Sequence, residues 1–181
     1  MPRILYLHGY GSNGMATKGQ LLRQMYPEAL VMSPTLDYNH LTPRQILGQI
    51  EDIVRWARPD LIVGSSLGGY YTLCSTSFYD GPVWCINPVR EVVKTIGRVI
   101  TSRDTEVTRM MELYKEMDTA LFQQLHPRDG QLHFALSTDD ELLGDHHPLL
   151  ALFPNYAQVV WKDHCGHRFL RFAELKEEMW K

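Results

Sequence analysis

The sequence predicts a compact three-layer α/β fold in which helices cover both faces of a mostly parallel β-sheet. Short apolar runs alternate along the chain with longer amphipathic segments, and no internal repeat or low-complexity tract interrupts them. Strands separated by helices form βαβ units, whose strands lie parallel and are buried on both faces. The length of 181 residues fits one domain with a substantial core, so we expect a single domain over residues 1–181.

Six short apolar runs are predicted as strands: residues 4–7, 29–32, 61–63, 83–86, 132–136 and 158–161. Helices are expected at 18–26, from 43 onward, at 67–78 and at 168–179. Pro27 ends the first helix, because proline disfavours helical continuation. The second helix has the clearest start: Thr42 as N-cap, Pro43 at the first position and Gln45 three residues after the cap. Apolar residues then follow at helical spacing: Ile46, Ile50, Ile53, Val54 and Trp56.

Residues 89–130, between the fourth and fifth predicted strands, break the alternation. Within them, residues 108–125 place apolar side chains at helical spacing: Met110, Met111, Leu113, Tyr114, Met117, Leu121, Phe122 and Leu125. We expect a helical, cap-like insertion over the functional site, placed before the fifth strand. The alternative is an ordinary crossover made of two helices.

Composition limits the classes of partner. The net charge of −3 argues against nucleic acid, whose binders need a basic face. No apolar run approaches the ~20 residues of a membrane span or the ~7–15 of a secretory signal. The three widely spaced cysteines, Cys74, Cys85 and Cys165, are expected to be free thiols. We therefore expect a cytoplasmic protein that acts on a small molecule, with no membrane span.

Gly64-Ser65-Ser66-Leu67-Gly68 matches the G-x-S-x-G nucleophile elbow of the α/β-hydrolase fold. The motif follows the predicted strand 61–63 and precedes a predicted helix, which is the context that this motif requires. Glycines are used two residues to either side because the strand and the helix approach closely there. Only Ser66 has both glycines, so Ser66 and not Ser65 is the predicted nucleophile. The alternative is a glycine-rich turn with an incidental serine.

A serine nucleophile needs a base and an acid, which follow it along the chain in the order acid, then histidine. His167 lies just after the last predicted strand, where the base belongs, and Gly166 and Phe169 beside it favour it over His164. The acid should follow the fifth strand. Asp139, Asp140 and Glu141 all qualify there by chemistry, and position alone does not choose between the two aspartates.

The oxyanion hole should come from two backbone N–H groups. One belongs to Leu67, which follows the nucleophile at a helix N-terminus, where donors lack partners within the helix. The other should come from the loop after the first strand, and we assign it to Tyr10.

No metal and no cofactor are expected. Residues 145–147 and 163–167 contain histidine with aspartate or cysteine, but neither segment has the spacing of a zinc site. The glycines of residues 8–14 match neither phosphate-binding pattern, G-x-x-x-x-G-K-[ST] or G-x-G-x-x-G.

Several segments together resemble small bacterial esterases of the YqiA and YcfP type. These are residues 4–12, 64–71 and 86–88, the acid loop Thr138-Asp139-Asp140-Glu141-Leu142-Leu143, and Gly166-His167-Arg168-Phe169. The resemblance implies a compact α/β-hydrolase that cleaves short acyl esters, and it puts Asp140 in the catalytic place. The chain departs from the pattern at Asp139, where glycine is expected, and over residues 92–125.

The expected function is therefore that of a serine esterase with a triad of Ser66, His167 and Asp140. A thioesterase or a small amidase would use the same triad, and only the pocket separates these activities. A non-catalytic binding module on a hydrolase scaffold is the alternative from another class, since a fold does not fix function.

Overall fold

The computed structural model describes residues 1–99, 105–115, 125–155 and 157–180. Its strands are β1 (Arg3–Leu7), β2 (Leu30–Met32), β3 (Leu61–Ser65), β4 (Val83–Ile86), β5 (Leu132–Ser137) and β6 (Ala157–Lys162). Its helices are α1 (Thr17–Met25), α2 (Pro43–Ala57), α3 (Leu67–Ser75), α4 (Val92–Val99), α5 (Thr105–Lys115) and α6 (His147–Leu150).

The six strands form one sheet in the order β2-β1-β3-β4-β5-β6, and every neighbouring pair is parallel. The predicted three-layer α/β fold with a parallel sheet is confirmed. Because all strands run the same way, the loops that follow β1, β3, β4, β5 and β6 meet at one edge of the sheet. Parallel sheets bind ligands at this carboxyl edge.

Side chains alternate between the two faces of the sheet, as the pleat of a strand requires. Along β1, Leu5 and Leu7 enter the core formed with α2 and α3, whereas Ile4 and Tyr6 enter the core formed with α1. Both cores contain fully buried aliphatic and aromatic residues. The sheet therefore lies between two helical layers, and its central strands β1, β3, β4 and β5 are almost entirely buried, whereas the edge strands β2 and β6 are partly exposed.

Helix α2 begins as its sequence predicts. The hydroxyl of Thr42 accepts the backbone N–H of Gln45, and the side chain of Gln45 accepts the N–H of Thr42. This reciprocal cap satisfies two N–H groups that have no partner within the helix. The buried stripe of α2 packs on the sheet through Ile46, Ile50 and Val54.

The segment predicted as a cap-like insertion contains α4 and α5. On α5, Met110 and Tyr114 are buried in the same core as α3, and the Tyr114 hydroxyl contacts that of Tyr71. Residues 100–104 and 116–124, on which part of the prediction falls, lie outside the described residues. The insertion over residues 89–130 stays a prediction.

The predicted terminal helix over residues 168–179 is wrong. Only Phe172–Leu175 forms a 3₁₀ turn, and the surrounding residues are hydrogen-bonded turns. Phe169 adopts a left-handed conformation with φ 50°, which a right-handed helix cannot include. Phe169, Phe172 and Leu175 are buried at intervals of three residues, and this interval suits turns whose hydrogen bonds span three residues.

Composition led to expectations about a membrane span and about the cysteines, and the described residues can be compared with both. None of the helices described there combines the length and the apolar character needed to cross a membrane. The three cysteines, all of which the structure describes, are buried and form no disulfide with one another. Burial raises the pKa of the Cys85 thiol.

Two glycine-to-alanine variants test the close packing at the start of α3. A methyl group at Gly68 would lie 2.1 Å from the carbonyl oxygen of Leu7, whereas one at Gly48 in α2 would have no atom within 4 Å. We expect Gly68→Ala to lower the free energy of unfolding by about 3 kcal/mol or more. Gly48→Ala should raise it by about 0.5–1 kcal/mol. Urea denaturation checks both, and equal effects would contradict the described packing.

Candidate active site

Ser66 lies between β3 and α3 in a strained backbone conformation, with φ 57° and ψ −119°. A residue other than glycine in the left-handed region needs support from its surroundings. The N–H of Ser66 donates to the carbonyl of Ile86 at 3.0 Å, and its carbonyl accepts N–H groups of Tyr70 and Val89. These three hydrogen bonds hold the turn that the elbow motif predicts.

The two glycines of the motif allow this turn because backbone atoms approach closely. A Cβ at Gly64 would lie 2.3 Å from the carbonyl oxygen of Gly68. A Cβ at Gly68 would lie 2.4 Å from the carbonyl oxygen of His8. Strand β3, helix α3 and the end of β1 therefore meet with no room for side chains, and Ser66 is placed at the carboxyl edge of the sheet.

The structure brings Ser66, His167 and Asp140 into one hydrogen-bonded chain. His167 Nε2 lies 2.9 Å from Ser66 Oγ, and His167 Nδ1 lies 3.0 Å and 3.1 Å from the two oxygens of Asp140. The carboxylate can only accept, so Nδ1 carries the proton and Nε2 presents its lone pair to the serine hydroxyl. His164, the competing histidine, is exposed and left-handed at φ 56°.

All three acidic residues of the loop after β5 contact the loop that carries His167. Asp139 accepts the backbone N–H groups of Cys165 and Gly166, at 3.0 Å and 3.1 Å. Glu141 accepts the backbone N–H of His167 at 2.8 Å, so Asp140 alone reaches the imidazole ring. Asp139 and Glu141 thus position the backbone around the histidine.

Charge in this loop is stabilised by hydrogen bonding. The hydroxyl of Ser137 and the N–H of Gly166 lower the pKa of Asp139 to about 2. Burial raises the pKa of Asp140, but hydrogen bonds from His146 and His167 outweigh burial and bring that pKa below its usual range. Both aspartates are therefore anionic at neutral pH.

The loop after β1 is fixed by His8, for which sequence reasoning assigned no role. The His8 ring is fully buried, with Nδ1 2.8 Å from the carbonyl of Gly9 and Nε2 accepting the N–H of Leu36 at 2.9 Å. Burial lowers the pKa of His8, so the neutral ring fits both contacts. Tyr10 follows this anchored turn and lines the cavity beside Ser66, and Leu67 is the first residue of α3.

Asn87 is a second residue without an assigned role. It is fully buried, left-handed at φ 40°, and directly follows β4. Its side-chain amide donates to the carbonyls of Gly166 and His167 at 3.0 Å and 3.1 Å, and accepts the N–H of Ser137 at 2.8 Å. Asn87 therefore joins the acid loop to the loop that carries His167, residues 163–171, which is called the histidine loop below. The Asn-Pro pair at the end of a buried strand was the available signal.

A cavity of about 510 Å³ opens at Ser66 between the loop after β1, the start of α1 and the histidine loop. Tyr6, Leu21, Phe169 and Phe172 contribute apolar wall, and Lys18 and Arg168 contribute positive charge. The volume lies within the ~300–1,000 Å³ range of small-molecule sites. Among the residues that the structure describes, no three histidine, cysteine or acidic side chains are grouped to hold a metal ion.

The parallel sheet and the strand-turn-helix around Ser66 define the class: the chain has the α/β-hydrolase fold. The chain belongs to the uncharacterised protein family UPF0227, whose family model matches residues 3–181. The predicted resemblance to the YqiA and YcfP type is confirmed.

Solved structures support the same fold. Est1E from Butyrivibrio proteoclasticus is 13% identical with a TM-score of 0.71, over 98% of this chain and 86% of that one. A monoacylglycerol lipase from Paleococcus ferrophilus is 14% identical with a TM-score of 0.69, over 97% and 90%. An α/β-hydrolase enzyme from a sediment metagenome of the Mar Chica lagoon, Morocco, is 14% identical with a TM-score of 0.66, over 99% and 85%.

Replacing Asn87 tests its bridging role. Asn87→Ala removes three hydrogen bonds and leaves two part-buried carbonyls and one buried N–H without that partner, so we expect a loss of about 3 kcal/mol in the free energy of unfolding. Asn39→Ala, at an exposed position, should change it by less than about 0.5 kcal/mol. Urea denaturation measures both. A loss at Asn87 as small as that at Asn39 would contradict the bridge.

Proposed function

We propose that the protein is a serine hydrolase, a carboxylesterase that cleaves short-chain acyl esters through an acyl-enzyme on Ser66. The observation that carries the proposal is the continuous contact from Ser66 Oγ through His167 to the buried Asp140 carboxylate. A nucleophile, its base and the group that orients the base are the recurring requirement of acyl transfer by serine.

The first step is attack by Ser66 on the ester carbonyl. His167 Nε2 accepts the hydroxyl proton as the Ser66 oxygen bonds to the carbonyl carbon, and the carbonyl oxygen becomes an oxyanion. Asp140 holds His167 in the tautomer with its proton on Nδ1 and stabilises the imidazolium that forms. The backbone of Ser66, with φ 57°, presents the hydroxyl at the carboxyl edge, 2.9 Å from His167 Nε2.

The oxyanion is assigned to the backbone N–H groups of Tyr10 and Leu67. The first N–H groups of a helix have no partner within it, and they carry the positive end of the helix dipole. Gly9 brings the loop after β1 against the nucleophile, since a Cβ there would lie 3.2 Å from the Ser66 Cβ. Each such donor contributes about 3 kcal/mol to transition-state stabilisation.

The remaining steps use the same groups. His167 returns its proton to the leaving alcohol, and the acyl group stays bonded to Ser66 Oγ. A water molecule then gives a proton to His167 and attacks the acyl carbon, and the proton returns to Ser66 as the acid leaves. No residue outside this set needs to change its protonation state, and the proposal includes no cofactor and no metal.

The cavity supports a small ester as substrate. Its volume of about 510 Å³ suits a short acyl chain, and its aromatic and aliphatic wall suits the apolar part of that chain. The structural neighbours include a monoacylglycerol lipase and an esterase domain from Rhodothermus marinus, and ester hydrolysis by those proteins is compatible with this proposal.

Replacing Ser66 tests the proposal. We expect Ser66→Ala to remain folded and to lose hydrolysis of para-nitrophenyl butyrate by at least about 10⁴-fold, because the nucleophile is removed. Ser65→Ala, which removes the neighbouring hydroxyl, should retain turnover. Circular dichroism checks folding, and an organophosphonate should label the unchanged protein at Ser66.

Turnover that persists in Ser66→Ala would refute the nucleophile assignment. Absence of both turnover and labelling in the unchanged protein would favour a non-catalytic binding module. A matched panel of ester, thioester and amide substrates, compared by kcat/KM, would separate esterase from thioesterase or amidase activity.

A further inference from the structure

The charge of the cavity beside Ser66 is opposite in sign to that of the whole protein. The net charge of the chain is −3, yet the charged side chains among the described lining residues are the cations Lys18 and Arg168. His167 also lines this cavity. Neither an aspartate nor a glutamate lines the described cavity. Excess positive charge in an enclosed site favours negatively charged ligands.

Lys18 is held in place without an anionic partner. Its ammonium group donates to the carbonyl oxygen of Arg168 at 2.6 Å and lies 6.0 Å from the ring centroid of Phe172. Within the described part of the chain, no ion pair includes Lys18 or Arg168. Burial and the charge of Arg168 lower the pKa of Lys18 to about 8, and no anionic side chain in the described part of the chain opposes this shift.

We propose that the ester cleaved at Ser66 carries a carboxylate, which Lys18 and Arg168 bind. This inference rests on the proposed esterase function and names its substrate class. A carboxylate beside Lys18 would supply the missing negative charge and form charge-assisted hydrogen bonds. The apolar wall and the cationic side of the same cavity then serve different parts of one substrate.

Two pairs of esters test the proposal, because the carboxylate could belong to the acid or to the alcohol. The first pair is mono-para-nitrophenyl adipate and para-nitrophenyl hexanoate. The second is para-carboxyphenyl butyrate and its neutral isostere, para-carbamoylphenyl butyrate. In at least one pair we expect kcat/KM to be about 10-fold higher for the charged ester. Lys18→Met should reduce that ratio to about one, whereas Lys94→Met, outside this cavity, should leave it unchanged.

The pH dependence of the ratio is a second readout. The positive charge of Lys18 is present below its pKa and lost above it, so the preference should decline as the pH rises through about 8. Other titratable groups on the cavity are His167, Arg168, Tyr6 and Tyr10. The ratio of two esters cancels the pH dependence of the catalytic steps that both reactions share.

Equal kcat/KM within both pairs, or a ratio that survives Lys18→Met, would overturn the inference while turnover of the neutral esters still supported the esterase. If no ester of either pair were hydrolysed, the proposed function itself would fail and the inference with it.

A different observation concerns His146, on the far side of Asp140. The Asp140 carboxylate accepts the N–H groups of Leu142 and Leu143 on one oxygen, and His146 Nε2 lies 3.2 Å from the other. With His167, four donors surround a group that has about four acceptor positions. His146 is 3% exposed and lies just before α6, and its ring centroid is 6.4 Å from that of Trp161.

The proton on His146 is defined by its partner. An ionised carboxylate cannot donate, so His146 Nε2 carries the hydrogen of this contact. His146 Nε2 contacts Asp140 Oδ2, which is also the oxygen that His167 Nδ1 approaches at 3.0 Å. His146 therefore constrains the rotation of the carboxylate on the side opposite to its backbone donors.

We infer that His146 is a positioning residue that acts on Ser66 through Asp140, an inference that also rests on the proposed function. His146→Leu should slow organophosphonate labelling of Ser66 and lower kcat by about 10-fold, with KM unchanged. His146→Gln, whose amide N–H reaches the same position, should restore most of the rate. In an Asp140→Asn background, His146→Leu should cause no further loss, since the two residues act as one unit.

The labelling rate reports the reactivity of Ser66 without any ester, which separates this inference from the substrate proposal. The positioning role would be overturned if His146→Leu lowered the rate equally in the Asp140→Asn background. It would also be overturned if His146→Leu changed KM alone. Failure of the unchanged protein to label at all would instead refute the proposed function.

Discussion

Backbone atoms of β1, β3 and α3 meet at Gly64 and Gly68 with no space for a side chain. This contact forces the turn between β3 and α3 into a conformation that places Ser66 at φ 57°. A residue in that region costs about 1–3 kcal/mol, which hydrogen bonds to the neighbouring backbone must offset. The serine hydroxyl is thus located by main-chain packing in the centre of the sheet, and the histidine and aspartate are brought to it by other elements.

The histidine loop has little regular structure of its own. His164, Gly166 and Phe169 all adopt positive φ, so its conformation depends on neighbours. Asp139 and Glu141 accept its N–H groups, and Asn87 and Lys18 donate to its carbonyls. These four side chains come from the loops after β4 and β5 and from α1.

Much of this arrangement was accessible from the sequence, because it depends on local patterns. Alternating apolar runs indicated the strands, the capping box indicated α2, and the glycine spacing around Ser66 indicated the turn. Asp139 and Asp140 are adjacent and have the same chemistry, so only the resemblance to known esterases favoured Asp140. Asn87 joins residues that are far apart in the chain. The contact between His146 and Asp140 lies within a polar loop. No local pattern distinguishes His146 from a surface residue, whereas the Asn-Pro pair at the end of a buried strand marks Asn87 without indicating its partners. The prediction of a terminal helix was wrong because apolar residues at intervals of three resemble, in the sequence, the buried stripe of a helix.

The Ser66–His167 contact joins residues 101 positions apart in the chain. Ser66 follows the central strand β3, whereas His167 follows β6 at one edge of the sheet, where β6 pairs with β5. Contacts of such sequence separation carry a high loop-closure entropy and form late in folding. Under the proposed function, reactivity of Ser66 is therefore an indicator that the edge strand has docked, and a chain with an otherwise formed sheet but a detached β6 would hold an inert serine.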